Sequence, residues 1–314
     1  MSALPDLTIS VVSYHVADEL RDCLASALVA APRHRIEIFV VDNASGPATQ
    51  EVLDHFESDP SVRCIRNSEN RGFAAANNQA LRLAQGRYFM LLNPDCRVLE
   101  DALSVLIEAM DADPQIGACA PQLLDEAGEV SASCRQLPTL ESAFWHLSYL
   151  DKVLPNMPRV GDYMMHDFDH RSDRDVDQPQ GAALLFDRVL LERIGELDER
   201  FFLYFEEVDW CRRVLGAGRR IRFLTGARVQ HLAGRSADQV WGRAIHHFFE
   251  SMIRYYRKAH GPWSANAVKT MVIGGAALRM GAWTLMGKRL GLTKDVRQNR
   301  NQAFRKILSD LKDF

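Results

Sequence analysis

The chain has 314 residues, of which 47% are hydrophobic and 25% charged, and its formal net charge is −3. This composition excludes a disordered or low-complexity chain and is typical of a soluble globular protein with one large domain and an appendage. The six cysteines include no C-x-x-C pair, which argues against a zinc knuckle or a disulfide framework and favours a reducing cytosol. No secretory signal is predicted, because the N-terminus lacks a basic region followed by an apolar stretch.

Charge is distributed unevenly along the sequence. Residues 1–211 carry 36 acidic and 17 basic side chains, whereas residues 212–314 carry 5 acidic and 21 basic ones. A basic part of this size fits nucleic acid or an anionic membrane surface. It lacks the aromatic and basic residues interleaved on strands that RNA-binding sheets use. We therefore predict an anionic membrane surface as a partner and no nucleic acid.

Strand and helix patterns alternate over the first 112 residues. The predicted strands are Leu7–Ser13, Ile36–Val41, Val62–Arg66 and Tyr88–Leu92. The predicted helices cover residues 17–30, 48–57, 73–84 and 99–112. This alternation predicts an α/β fold with a Rossmann-like, mostly parallel sheet, right-handed crossovers and helices on both faces.

The fourth predicted strand leads into a candidate ligand site. Tyr88–Leu92 is a run of apolar residues without alternation, as expected for a strand buried on both faces. Asn93, Pro94 and Asp95 follow, and Pro94 ends the ladder because it has no N–H to donate. Ligands of open α/β sheets bind beyond the carboxyl ends of the strands, so Asp95 is a candidate for binding a metal or a polar ligand. The alternative is a solvated turn.

The alternation is weaker after residue 112. We predict a strand at residues 116–120, a hairpin-like stretch around residues 125–128, and a strand at residues 180–186 that is followed by a short helix. Residues 155–178 are hydrophilic and show no clear element. A stretch of this length inside a compact domain predicts a mobile functional loop.

Three carboxylates follow the aromatic run Phe201–Phe205 and open a predicted helix. They are Glu206, Glu207 and Asp209. Acidic residues in a first helical turn complement the helix dipole, which is the structural explanation. Desolvation beside aromatic side chains raises a carboxyl pKa towards the value that a general base requires, which is the catalytic explanation.

Seven short motifs, taken in order, resemble a family-2 inverting glycosyltransferase with a GT-A fold. They are Val12–Tyr14, Val41–Ser45, Asn70–Ala74, Leu92–Asp95, Gln180–Ala182, Phe205–Cys211 and Val229–His231. The rhamnosyltransferase-like branch is the most similar, and the resemblance covers about residues 7–260. It implies a transferase domain at residues 1–262, with a nucleotide-binding half at about 1–120 and an acceptor half at about 121–262. A basic helical region at residues 263–314 would follow.

The resemblance implies that a nucleoside-diphosphate sugar, linked to dTDP or UDP, is the donor, and L-rhamnose is the sugar typical of the branch. The implied donor-binding residues are Ser13, Tyr14, Asp42, Arg71, Gly72, Asn93 and Asp95. Asp42 would accept the imino N–H of uracil or thymine. Arg71 would approach the base or the diphosphate, and Gly72 would permit close passage of the backbone.

A divalent metal site is also implied, with Mg²⁺ or Mn²⁺ held by Asp95 and His231. The family motif is D-x-D, and this chain has Asn93 in its first position, so one acidic ligand is left. Mg²⁺ tolerates such a site because it keeps several waters and takes phosphate oxygens as ligands. For His231, a structural role is the alternative.

For catalysis the resemblance implies Glu207 as the general base, in the position of the family's usual aspartate. Glutamate is longer by one methylene, so Asp209 is retained as the rival base. The base would deprotonate an acceptor hydroxyl, which would displace the nucleoside diphosphate in line and invert the anomeric carbon. Gln180, Gly181 and Trp210 would line the acceptor side; the start of a buried strand explains the first two equally well.

The basic region favours a surface role at a membrane. Residues 240–258 carry an apolar stripe at helical spacing, for which core packing is the default. In residues 264–287 the longest uncharged run, Thr270–Leu278, is far too short to span a bilayer. The basic side chains around these segments suit interfacial docking. They are Arg243, Arg254, Arg257, Lys258, Lys288, Arg289, Lys294, Arg297, Arg300, Arg305 and Lys306.

These observations predict a cytoplasmic enzyme at the inner face of the cytoplasmic membrane. Its acceptor would be a saccharide, lipid-linked, in cell-surface polysaccharide assembly. A catalytically degenerate nucleotide-sugar-binding or scaffolding protein of the same fold is the alternative, because Asn93 and Glu207 depart from the family pattern. A nucleotidyltransferase is disfavoured, since residues 13–17 form no glycine-rich phosphate loop.

Overall fold

The computed structural model describes residues 4–154, 157, 159–232, 241–286, 294–312 and 314. The strands are β1 (Leu7–Ser13), β2 (Ile36–Asn43), β3 (Val62–Asn67), β4 (Tyr88–Leu92), β5 (Cys96–Val98), β6 (Ile116–Leu124), β7 (Cys134–Arg135), β8 (Arg174–Asp175), β9 (Gln178–Pro179), β10 (Ala183–Asp187) and β11 (Arg220–His231). The helices are α1 (Ala17–Val29), α2 (Pro47–Phe56), α3 (Phe73–Leu83), α4 (Ala102–Ala112), α5 (Leu140–Leu147), α6 (Leu150–Val153), α7 (Arg188–Ile194), α8 (Glu206–Gly216), α9 (Trp241–His260), α10 (Pro262–Met286) and α11 (Lys294–Asp310).

The chain forms two compact units. The first, called the sheet unit, comprises residues 1–135, 168–202 and 206–236. The second, called the helical unit, comprises residues 136–167, 203–205 and 237–314. Helices α9, α10 and α11 all belong to the helical unit, and the division into residues 1–262 and 263–314 stays a prediction.

The sheet unit is built on one large mixed sheet. Its strand order is β3-β2-β1-β4-β10-β6-β11-β5, and β8 pairs with β11. Strands β1 to β4 pair in parallel, as their helical crossovers require. β10 runs antiparallel to β4 and β6, while β11 is parallel to β6 and antiparallel to β5. The predicted α/β architecture with a mostly parallel sheet is confirmed.

Strands β1 and β4 lie at the centre of the sheet and are buried along their whole length. Met90 and Leu92 belong to the large apolar core on one side. On the opposite face Phe89 packs edge-on against Trp210, with ring centroids 6.4 Å apart. Burial on both faces is what the unbroken apolar run Tyr88–Leu92 predicts.

One strand begins later than its sequence indicates. Residues 180–182 precede β10, because the Gln180 N–H donates to the Ser133 carbonyl oxygen at 2.8 Å. This bond continues the pairing of the small β7–β9 sheet, in which Cys134 faces Pro179. The three residues therefore form a turn between two sheets.

The helical unit buries the apolar stripe of α9. Phe249, Met252, Ile253, Tyr255 and Tyr256 are at most 3% exposed. Core packing, the default for this stripe, therefore holds for Phe249, Met252 and Tyr256, whereas Ile245 and Phe248 are half-buried and the side chain of Trp241 lies outside the described residues. Within the described residues, no helix is long and apolar enough to cross a membrane. Lys288, Arg289 and the side chain of Lys294, which the sequence places in the basic flank, lie outside the described residues.

Candidate active site

Asp42 lies near the carboxyl end of β2 and carries one carboxylate oxygen without a partner. The side chain is 1% exposed. Its Oδ2 accepts from the Ser45 N–H at 3.1 Å and from Gln50 Nε2 at 2.8 Å. Its Oδ1 is buried and meets no donor among the described residues. Because a buried, unsatisfied acceptor is costly, this oxygen fits an N–H donor supplied by a ligand.

Ser13 ends β1 directly beside Asp42 in the strand register. Its hydroxyl is likewise buried and has no partner within the described part of the chain. Tyr14 is half-buried, and its ring lies 4.4 Å from that of His15. The residues that the sequence assigns to a nucleoside pocket are thus adjacent at one edge of the sheet.

The turn before α3 reaches the same edge. Arg71 is exposed, and its N–H points to Asn43 Oδ1 at 3.4 Å. Gly72 has φ +82°, and a Cβ there would lie 2.5 Å from the Phe202 carbonyl oxygen. Only glycine fits this combination of dihedral angle and close approach. The close backbone passage predicted at Gly72 therefore involves the chain at Phe202.

Asn43 is a structural residue of this edge that sequence reasoning missed. Its Nδ2 donates to the Gly72 carbonyl oxygen at 3.2 Å, and its Oδ1 accepts from Asn67 Nδ2 at 2.9 Å. The side chain thereby ties the end of β2 to the turn before α3. The only signal in the sequence is its position next to Asp42, since a turn asparagine is otherwise ordinary.

Asp95 and His231 meet across β5 and β11. His231 pairs with Cys96 in the antiparallel register, which brings His231 Nε2 to 3.3 Å from Asp95 Oδ1. Both side chains are less than a tenth exposed. The backbone of Asn93, which is half-buried, is tied to Ala182 by an N–H···O bond of 2.8 Å. The predicted metal ligands are thus close neighbours, while the residues after Leu232, up to residue 240, lie outside the described chain.

Cys96 is a third potential ligand that the sequence analysis did not identify. Ligand atoms of Asp95, Cys96 and His231 all lie within 4.8 Å of one another. Burial, together with the nearby Asp95 carboxylate, raises the pKa of the Cys96 thiol well above its usual range. Its Sγ donates to the Ala182 carbonyl oxygen at 3.4 Å. A protonated thiol engaged in this way is a weak ligand, so Asp95 and His231 are the better pair for a cation.

Glu207 lies in the first turn of α8, behind a strained backbone. Tyr204 and Phe205 have φ values of 69° and 68°. Bulky residues rarely adopt this left-handed region, and each costs on the order of 1–3 kcal/mol. Glu207 Oε2 is buried and has no hydrogen-bond partner among the described residues. Burial raises the pKa of Glu207, and the backbone N–H groups of Glu207 and Val208 offset part of that effect.

Asp209 has a different environment. Its side chain is 1% exposed, and its Oδ2 accepts from Arg213 Nε at 2.9 Å. Arg213 also donates to the carbonyl oxygens of Ile194, Gly195 and Glu196. Asp209 therefore orients an arginine that caps the end of α7. The Asp209 carboxylate is thus buried and engaged by an arginine, which leaves it less accessible to an acceptor hydroxyl than Glu207.

Gly181 packs directly against Glu207. A Cβ at Gly181 would lie 3.0 Å from Glu207 Cγ and 3.1 Å from its Cβ. Gln180 is exposed beside it. Trp210 is fully buried, and its Nε1 donates to the Gly195 carbonyl oxygen at 2.9 Å. The indole belongs to the core under the sheet, which leaves it no surface for an acceptor, because α8 turns this side chain inwards.

Comparison with known proteins shows which family the sequence matches. A family model described as "Glycosyl transferase family 2" matches residues 8–159, which include Asp42 and Asp95. This match identifies residues 8–159 as a glycosyl transferase family 2 region. The predicted resemblance to the rhamnosyltransferase-like branch of this family is confirmed by two curated relatives.

The alignments with these two relatives cover most of this chain and most of each relative. The chain is 27% identical to an N-acetylglucosaminyl-diphospho-decaprenol L-rhamnosyltransferase of Mycobacterium tuberculosis, over 87% of this chain and 91% of the relative. It is 24% identical to rhamnosyltransferase WbbL of Escherichia coli, over 79% of this chain and 91% of that one.

Among solved structures, this glycosyltransferase resembles a mannosyltransferase of Pyrobaculum calidifontis in complex with GDP-Man and Mn²⁺. The TM-score is 0.55 at 19% identity, and the match covers 98% of this chain and 87% of the other. A structure of GalNAc-T7 with UDP, GalNAc and Mn²⁺ matches with a TM-score of 0.53 at 15% identity, covering 82% of this chain and 51% of that one. These similarities confirm the predicted GT-A fold.

Proposed function

We propose that this glycosyltransferase is an inverting enzyme that moves L-rhamnose from a dTDP- or UDP-linked donor to a hydroxyl of a lipid-linked saccharide. The observation that carries the proposal is the Glu207 carboxylate, which is desolvated and has a buried oxygen without a partner. A carboxylate with a raised pKa and a free lone pair is what proton abstraction from a hydroxyl requires.

The transfer step follows from this geometry. Glu207 takes the proton of an acceptor hydroxyl as its oxygen attacks the anomeric carbon. The bond from that carbon to the diphosphate oxygen breaks, and its electron pair leaves with the nucleoside diphosphate. A single in-line displacement inverts the configuration and needs no covalent intermediate, so no second nucleophile is required of the chain.

Donor recognition rests on the edge formed by β1 and β2. Asp42 Oδ1 lacks a partner among the described residues and is ready to accept the imino N–H of uracil or thymine. A purine base presents a different set of hydrogen-bonding groups to this oxygen. The bonds that hold Asp42 Oδ2 keep the carboxylate oriented before the ligand arrives, which lowers the entropic cost of binding.

Asp95 and His231 form the pair that would hold a divalent cation. Their carboxylate and imidazole atoms are close together and buried, and such a mixed oxygen and nitrogen set favours Mn²⁺ over Mg²⁺. A bound cation supplies positive charge that neutralises the departing diphosphate. In the solved neighbours named above, Mn²⁺ is present, which supports this assignment of the cofactor.

A degenerate binding protein is the less favourable reading of the same fold. A protein that only binds nucleotide sugars has no use for a desolvated carboxylate at Glu207, whose burial costs folding free energy. Two consecutive strained residues immediately before α8 add to that cost. Both features are expected where catalysis depends on the position of a side chain.

The helical unit supplies features expected of a protein that docks on a membrane surface. Trp263, Ile273 and Leu278 are 64%, 51% and 62% exposed. Arg257, Lys258, Arg305 and Lys306 are exposed in the same unit. Apolar anchors combined with basic side chains suit the headgroup region of an anionic leaflet, where a lipid-linked acceptor resides. We infer a peripheral location at the cytoplasmic face.

Gly181→Ala tests the position of the base. The added methyl group presses on Glu207, so we expect kcat to fall roughly tenfold to hundredfold, with a smaller effect on donor binding. Gly216→Ala is the matched control, because it lies on α8 and nothing lies within 4 Å of the added Cβ. Steady-state kinetics on both variants would count against the assignment if Gly181→Ala kept the wild-type kcat.

The donor assignment is tested by thermal denaturation of the full chain with a panel of dTDP-, UDP- and GDP-linked sugars and Mn²⁺. A ligand present at 100 times its dissociation constant stabilises a protein by about 2.7 kcal/mol. We expect a pyrimidine-linked sugar to raise the melting temperature and Asp42→Ala to abolish the shift. Equal stabilisation by a GDP-linked sugar would contradict the proposed role of Asp42.

A further inference from the structure

The helical unit contains a cavity of about 260 Å³ that the transfer site does not use. This is room for about nine waters, or for one phosphate and the first carbons of a chain. The walls include aromatic side chains and two arginines, among them Tyr149, Phe248, Arg279, Trp283, Arg300 and Phe304. None of the described residues that line it carries a carboxylate.

Both guanidinium groups are held against aromatic rings. Arg279 Cζ lies 4.3 Å from the centroid of Tyr149 and 5.7 Å from that of Phe304. Arg300 Cζ lies 5.6 Å from the centroid of Trp283. Stacking fixes the plane of a guanidinium group, and the N–H edges of such a group bind oxyanions in bidentate fashion. The arginines are therefore oriented before any ligand binds.

Arg279 has a donor that the protein itself does not satisfy. Its Nη1 is buried and meets no acceptor among the described residues. A Cβ at Gly275 would lie 2.7 Å from this nitrogen, so the glycine makes room for the guanidinium group. A positive charge without a counter-ion inside a protein is costly, and an anion in the cavity that Arg279 lines would offset that cost.

The composition of the lining points to an amphiphilic anion. Guanidinium groups bind phosphate, while Phe248, Trp283 and Phe304 offer apolar surface to carbon chains. Helix α10, which contributes Arg279 and Trp283, also exposes Ile273 and Leu278. A small soluble anion would need the arginines but not this apolar surface.

We propose that the cavity binds the phosphate of a lipid together with the first carbons of its chain. Two sources share this chemistry, namely the phosphate that links a polyprenyl carrier to its saccharide and the headgroup phosphate of an anionic bilayer lipid. The first source rests on the proposed function, because it is the lipid of the acceptor. The second does not depend on the transfer reaction.

Vesicle flotation of the full chain tests the proposal. The vesicles are phosphatidylcholine alone, phosphatidylcholine with phosphatidylglycerol, and phosphatidylcholine with a polyprenyl diphosphate. Arg279→Lys keeps the positive charge but removes the planar guanidinium group that binds an oxyanion through two N–H groups. We expect binding to the vesicles with phosphatidylglycerol, to those with polyprenyl diphosphate, or to both, to weaken about tenfold. Arg305→Lys, on the exposed face of α11, is the matched control and should bind like wild type.

The pattern across vesicles identifies the source. Weakening confined to the polyprenyl diphosphate assigns the cavity to the carrier lipid, and weakening confined to phosphatidylglycerol assigns it to the bilayer. Ile245→Phe narrows the cavity and leaves both arginines in place, so it should weaken the same binding in a chain that melts normally. Wild-type binding by both variants, or equal weakening in Arg305→Lys, would overturn the proposal. The flotation experiment contains no sugar donor and therefore measures lipid binding alone. A failure of the proposed transfer reaction would be seen separately, as absence of turnover in an activity assay.

Discussion

Glu207→Gln should lower kcat by roughly 10²–10⁴-fold while leaving the dissociation constant of the nucleotide sugar unchanged. The amide keeps the shape of the side chain but cannot take a proton from the acceptor hydroxyl. Single-turnover kinetics and calorimetric titration with the donor separate these two quantities. The variant should also tolerate heat as well as the wild type, or better, because it removes a carboxylate charge whose buried Oε2 has no partner among the described residues.

Its matched control is Asp209→Asn. This substitution removes the negative charge that Arg213 Nε contacts at 2.9 Å, so we expect a loss of about 1.5–3 kcal/mol in the free energy of unfolding. Turnover per folded molecule should fall far less than in Glu207→Gln. The opposite pattern, with activity retained in Glu207→Gln and lost in folded Asp209→Asn, would transfer the role of base to Asp209.

The raised pKa of Glu207 predicts two pH effects of known sign. The base must be deprotonated, so the acidic limb of the kcat profile should lie at higher pH than an ordinary glutamate would give. A carboxyl whose pKa is higher in the folded state contributes stability that is fully present below the unfolded pKa. That contribution is lost as the pH rises through the folded pKa, and Glu207→Gln should show no such loss.

Asp95→Ala should weaken metal-dependent binding of the nucleoside diphosphate by about 100-fold or more. Loss of a residue that merely supports a metal ligand costs 10–100-fold, and Asp95 is proposed as a ligand itself. Calorimetric titration with dTDP or UDP, in Mn²⁺ and again in EDTA, isolates the metal-dependent part. In EDTA, wild type and variant should bind the nucleotide alike.

Asp22→Ala is the control for Asp95→Ala. Asp22 is an exposed carboxylate of the sheet unit that pairs with Arg97 at 2.6 Å, so its removal changes the net charge equally and costs little stability. Nucleotide binding in Mn²⁺ should match the wild type. If wild-type affinity did not depend on the metal, or if Asp95→Ala kept the full metal enhancement, the cation site at Asp95 and His231 would be wrong.

The sequence predicted the centre of the sheet because local pattern and burial agree there. Leu7–Ser13 and Tyr88–Leu92 are apolar runs covered on both faces, and each appears as a strand with the predicted ends. Of β11, the sequence analysis identifies only the motif Val229–His231, although the strand begins at Arg220. Arg220 and Arg222 make the first part of this strand look like an exposed segment in the sequence. In the fold their charges are neutralised by Asp113 and Asp175, which come from distant parts of the chain.

The site was predictable in its residue types but not in its contacts. Motif order indicated Asp42, Asp95, Glu207 and His231, whereas the partnerless oxygens appear only after folding. The sequence did not indicate Cys96 as a potential ligand, because β5 has only three residues and forms by pairing with β11, which is far away in the sequence. Trp210 was placed at the acceptor side because it follows the carboxylates, but the pitch of α8 directs it into the core.

Stereochemistry of the product tests the central claim most directly. The full chain, a dTDP- or UDP-linked sugar that passes the thermal screen, Mn²⁺ and a lipid-linked saccharide are incubated, and the new glycosidic bond is analysed by proton NMR. We expect the wild type to form a bond whose anomeric configuration is opposite to that of the donor, and Glu207→Gln to form none. A product that retains the configuration of the donor would contradict it.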